Sequence, residues 1–128
     1  YINKIKPDKI FIPSNSDVHT DHKIVYSVCQ NFAKSFRYPF IKKMLSYETI
    51  SETNFNFTNK NYFNPNVFED VTFFLNKKIS IMKIYKSEFK KHPFPRSIDA
   101  IKSLAILRGS QANFKYAEGF ELIKEIYE

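Results

Sequence analysis

Residues 9–22 read Lys9-Ile10-Phe11-Ile12-Pro13-Ser14-Asn15-Ser16-Asp17-Val18-His19-Thr20-Asp21-His22, and the fold turns on how that run is parsed. Ile10-Phe11-Ile12 is a short apolar stretch closed by Pro13, which has no amide hydrogen to continue a ladder, so it predicts a short buried strand. Ser14-Asn15-Ser16-Asp17 is a cluster of turn formers. Over residues 21–36 the apolar side chains Val25, Val28, Cys29, Phe32, Ala33 and Phe36 recur at helical spacing. After Tyr38-Pro39, residues 40–47 predict a second strand. Strand, helix, strand in that order predicts a right-handed crossover between parallel strands, hence an α/β layered fold with a mainly parallel sheet. Residues 1–8 read as the tail of an element closed at Pro7-Asp8, so the expectation is a C-terminal portion of one domain whose N-terminal part is missing. Absent strands would leave an apolar edge that a partner must cover, a homo-oligomer being one solution.

Further on, residues 48–64 are a polar loop with interleaved Phe55, Phe57, Tyr62 and Phe63: either a surface loop pinned by its aromatics or part of a cleft wall. Asn64-Pro65-Asn66 predicts a helix entry, with Glu69 and Asp70 in the first turns and Phe68, Val71, Leu75, Ile79, Met82, Tyr85 and Phe89 on one stripe. Ser97 predicts the cap of another helix, ended by Arg108-Gly109, and Leu122, Ile123 and Ile126 predict a last short one.

The chain of 128 residues, 43% hydrophobic and 17% aromatic, has enough apolar material for one globular domain. It contains no apolar run near the roughly 18 residues that span a bilayer and no signal peptide pattern, so a soluble protein is expected. The single Cys29 excludes an internal disulfide and points to a reducing, cytoplasmic setting. The +7 charge comes from 17 Lys and 3 Arg that are scattered along the chain. Scattered lysines with Asn, Ile, Phe and Tyr fit AT-rich coding better than a polyanion-binding stripe, which leaves a nucleic-acid-binding domain as the weakest of three readings. Asn56-Phe57-Thr58 fits a glycosylation acceptor at near chance frequency. There is no Gly-rich phosphate loop and no nucleophile elbow.

Chemistry concentrates in residues 17–22, which hold two of the three histidines and two carboxylates. His19 and His22 at i, i+3 project from the same side of a helix start. Neutral imidazole suits zinc, and Asp21 beside it could add a ligand or hold an imidazole tautomer. The cluster offers three ligands at most and more readily one or two, whereas catalytic zinc takes three protein ligands and an open position. His92, between Lys91 and Pro93, has no carboxylate beside it. The plainer alternative makes His19 and Asp21 a helix N-cap and His22 an exposed first-turn residue.

The order Asp17-Val18-His19-Thr20-Asp21-His22, Tyr47-Glu48, Asn64-Pro65-Asn66-Val67-Phe68, Pro95-Arg96-Ser97, Arg108-Gly109 and Tyr116-Ala117-Glu118-Gly119-Phe120 resembles the LmbE/PIG-L family of zinc-dependent N-acetylglucosaminyl deacetylases. The resemblance runs over nearly the whole chain, and its most specific parts are His-x-Asp-His and Tyr-Ala-Glu-x-Phe. It implies a Rossmann-like fold, zinc as cofactor and His22 as one zinc ligand. It implies further that His19 is the acid or oxyanion stabiliser, that Asp21 orients or tunes a histidine, and that Tyr116 and Asp17 lie on the substrate side. The substrate class would be an N-acetylated amino-sugar conjugate. The family's His-Pro-Asp-Asp-Glu motif, which brings two more ligands and the general base, occurs nowhere in these residues. The fragment alone is therefore expected to be inactive, and a non-catalytic remnant serving as a binding module is the alternative.

Overall fold

In the computed structural model, which describes residues 1–58 and 62–127, the apolar run forms β1 (Lys9–Pro13) behind a one-turn helix α1 (Ile2–Ile5). Helix α2 (Thr20–Cys29) follows, continues into a 3-10 turn at Gln30–Ala33, and the chain returns as β2 (Lys43–Tyr47). β1 and β2 are parallel, with Lys9 beside Lys43 and Pro13 beside Tyr47. The expected crossover unit is present, and α2 rests against β1.

The chain divides into two compact units, Tyr1–Val67 with Phe120–Glu128, and Phe68–Gly119. In the first, Ile12, Ile41, Met44 and Leu45 are the buried apolar side chains, each contributing on the order of 1.5–3 kcal/mol. Phe11, on the edge strand, is half exposed and sets its ring at a tilt of 55° against that of Phe120, centroids 5.4 Å apart. α2 contributes no buried residue at all: Ile24, Val25 and Val28 face water.

In the second unit α3 (Leu75–Met82) packs against α4 (Ile98–Ala112) around Leu75, Ile79, Ile101 and Ala105. Ser97 caps α4 as expected, its hydroxyl accepting from the Ala100 amide at 3.2 Å. The helix does not stop at Gly109, however. It runs on to Ala112 and is closed by Asn113 in the left-handed region at φ 59°, which Asn tolerates. Gly109 is buried within the helix, because the chain that follows folds back over it.

Two further expectations are corrected. Residues 67–70 are strand β3 (Val67–Asp70), and the helix predicted from Asn64 begins only at Leu75; Glu69 and Asp70 imitate first-turn acids while lying exposed on a strand. The last segment is strand β4 (Ala117–Glu125), not a helix. β4 runs antiparallel to β2, and the register slips between Met44, opposite Lys124, and Leu45, opposite Leu122, leaving Ile123 as the extra residue of a bulge. The four strands lie in the order β1-β2-β4-β3. Asn66 donates to the Phe120 carbonyl and Val71 to that of Tyr116, so rising numbers meet falling ones and β3 is antiparallel to β4. The protein is a mixed α/β fold with one parallel pair. The mainly parallel sheet is not observed, because the final segment is an antiparallel strand instead of a covering helix.

Candidate functional site

The turn after β1 is organised by Ser14. Its hydroxyl accepts from the Ser16 amide at 3.1 Å and its carbonyl from the Asp17 amide at 3.2 Å, a local substitute for regular structure that Ser favours. Ser14, Ser16 and Asp17 are all buried by it, and Asp17 is 0% exposed. A carboxylate in that position needs partners for both oxygens. His22, in the first turn of α2, supplies one: its Nδ1 lies 2.6 Å from Asp17 Oδ2. Thr53, in the 3-10 turn Thr53–Phe55, supplies the other by donating its hydroxyl hydrogen to Oδ1. The anion also sits near the positive end of α2, where the helix dipole favours it.

His19 is the N-cap of α2, and its Nδ1 accepts from the Asp21 amide at 3.2 Å. The two imidazoles stack, centroids 5.0 Å apart and planes 28° from parallel, as the i, i+3 spacing predicts. Their hydrogen bonds assign opposite tautomers. His22 carries its proton on Nδ1, facing an ionised acceptor, and keeps a lone pair on Nε2. Neutral His19 accepts at Nδ1 and therefore carries its proton on Nε2. The two stacked rings thus carry one acceptor Nε2, on His22, and one donor Nε2, on His19. His19 is exposed and His22 partly so.

For a metal, the donor set fits in part. A histidine whose Nδ1–H is held by a carboxylate is the usual state of a zinc-ligating imidazole, and His22 meets that condition. Among the described residues no three His, Cys, Asp or Glu side chains converge, so they do not by themselves make up a three-ligand site.

The assignment of the two aspartates changes. The histidine-orienting carboxylate belongs to Asp17, which is buried and has both oxygens occupied by side chains of this chain, whereas Asp21 is exposed and bonds the cluster through its backbone amide. Tyr116 lies in the second unit immediately before β4, and His92, ahead of a cis bond to Pro93, lies in that unit too. Thr53 carries no signal in the sequence, being 36 residues from its partner. Tyr47, at the end of β2, is a further neighbour: burial raises its phenol pKa above 10.0, and the charges of Asp17 and then Cys29 raise it further. Because the folded chain then holds that proton more tightly than the unfolded one, the contribution to stability is complete below about pH 10 and is lost as pH rises through the folded value. The urea midpoint is expected to fall more steeply above about pH 10 than in Tyr47→Phe; equal slopes would exclude the coupling.

The chain is similar to the crystal structure of the conserved protein TT1542 from Thermus thermophilus, with a TM-score of 0.73 and 18% identity over 99% of this chain and 56% of that one. It spans a little over half the length of that solved structure, and the likeness is one of fold. No family model and no curated protein matches the chain.

Proposed function

We propose that this chain is the histidine-bearing part of a zinc-dependent N-deacetylase of the LmbE/PIG-L type, acting on an N-acetylglucosamine-type conjugate in the cytoplasm as part of a longer polypeptide. The observation that carries the reading is the Asp17–His22 bond, which leaves a lone pair on Nε2 of His22 while the stacked ring of His19 carries its proton on Nε2. His22 would hold the metal, with Asp17 fixing its tautomer. Zinc held by His22 and the further ligands would supply Lewis acidity, lowering the pKa of water toward about 7 and polarising the acetyl carbonyl. His19 would donate its Nε2–H to the oxygen on which negative charge develops, and would protonate the departing sugar amine once its Nδ1 has exchanged the bond from the Asp21 amide for the proton released from water, a role worth roughly 100- to 10,000-fold. Asp21, one residue from His22, adds negative charge at the helix start. The general base and the remaining ligands come from residues outside this sequence.

The test is zinc content and acetate release by a polypeptide in which a segment bearing His-Pro-Asp-Asp-Glu precedes this chain. One zinc per molecule is expected, lost in His22→Ala together with activity. Tight stoichiometric zinc in His22→Ala would refute the ligand assignment, and a folded, metal-free, inactive polypeptide would make the chain a non-catalytic remnant.

A further inference from the structure

We propose that Thr53 is a positioning residue for His22, acting through Asp17, so that the loop following β2 decides which nitrogen of the His22 ring carries the proton. The bonds run in one sense only. The Thr49 backbone amide lies 2.6 Å from Thr53 Oγ1, and an amide can only donate, so one lone pair of the hydroxyl is taken and its hydrogen is left to donate. That hydrogen goes to Asp17 Oδ1. An ionised carboxylate can only accept, so the contact between Oδ2 and His22 Nδ1 must be filled by a proton on Nδ1. With Oδ1 taken by Thr53, Oδ2 is the oxygen left to face His22, and the lone pair of the ring stays on Nε2.

Thr53 is needed because one bond alone does not orient a carboxylate. The side-chain torsion of Asp that turns the carboxylate plane is broad, and rotation about it would carry Oδ2 off the imidazole. With Thr53 on the second oxygen, that rotation breaks two charge-assisted bonds instead of one. The loop is tied to the same turn by its backbone as well, the Val18 amide donating to the Glu52 carbonyl at 3.4 Å. Docking of residues 49–55 and the protonation pattern of His22 are thereby one event.

The consequence for catalysis rests on the reading above, but the test does not, since it uses the 128-residue chain without metal. With nitrogen-labelled histidine, above the pH at which imidazolium persists, the unsubstituted chain is expected to show His22 with a pyrrole-like Nδ1 and a pyridine-like Nε2. In Thr53→Val both resonances move toward intermediate values as the two tautomers mix, and Thr53→Ser, which keeps the hydroxyl, restores the original pattern. A merely structural role for Thr53 would lower stability in both variants and leave the pattern in place. A folded Thr53→Val with an unchanged pattern overturns the proposal. If the valine variant does not fold, the unsubstituted chain still decides: a slowly exchanging Thr53 hydroxyl proton close to Asp17 supports the inference, and a pyrrole-like Nε2 or no protected hydroxyl overturns it. Loss of the zinc reading with the tautomer result intact would leave this inference standing.

Discussion

With His22 in the proposed role of zinc ligand, alanine at Asp17 is expected to weaken zinc binding by the extended polypeptide by about 10- to 100-fold, the usual cost of removing the group that holds a ligating imidazole, while alanine at Asp21 leaves the affinity close to the parent value. Both aspartates lie within five residues of His22, and by sequence distance Asp21 is the better candidate. Position reverses that order. Asp17 is buried against Nδ1 of the ring, whereas Asp21 is exposed and meets the cluster by its amide, which alanine retains. Asp17→Ala also leaves the hydroxyl of Thr53 and the Nδ1–H of His22 without their acceptor, a stability cost of about 1–3 kcal/mol if water does not replace it. Competition against a chelator reads the affinity and thermal unfolding reads the stability. Equal losses of affinity in the two variants would show that the charge of the cluster, and not the bond to Nδ1, is what matters.

Gly109→Ala is expected to destabilise the protein although alanine is the better helix former by about 1 kcal/mol. A methyl group at this position would lie 2.6 Å from the carbonyl oxygen of Phe114 and 3.0 Å from that of Lys115. Both are backbone atoms of a turn fixed by Asn113 in the left-handed region and by the Phe114 amide donating to the Gly109 carbonyl at 2.9 Å. The turn must therefore move as a body, and it leads within two residues into β4. Overpacking of this kind costs about 1–3 kcal/mol, so the net loss after the helix gain of about 1 kcal/mol is up to about 2 kcal/mol. Urea unfolding measures it. A variant as stable as the parent would mean that the turn relaxes freely.

The parts legible in the sequence are those whose signals are local. β1, α2 and β2 can be read because an apolar run ended by Pro13 and a 3.6-residue repeat need no distant partner to be recognised. β4 escapes for a reason that can be named: Phe120, Glu121 and Leu122 alternate as a strand should, but Ile123 breaks the alternation, and the doublet Leu122-Ile123 imitates helical spacing. That doublet is the trace of the bulge opposite Met44 and Leu45. β3 escapes likewise, since four residues with two acids fit either element and only its neighbour β4 decides. Gly109 reads as a stop because glycine often follows a helix, and nothing local reveals a turn closing over it. In the site, the facing histidines follow from their spacing and the capping role of His19 from its position. The bond from Asp17 to His22 crosses the helix boundary, where no periodic rule applies, and Thr53 arrives from another segment altogether.

Helix α2 has no buried residue and is held by its cap, by β1 and by the bond between His22 and the turn beneath it. Helices so thinly anchored open locally well below the free energy of global unfolding. Since His22 is itself one of the anchors, its readiness to bind and the persistence of the helix are the same equilibrium. Any ligand it takes gains affinity only to the extent that α2 is already closed, and the intrinsic strength of the nitrogen is realised in full only when the rest of the helix has somewhere to rest.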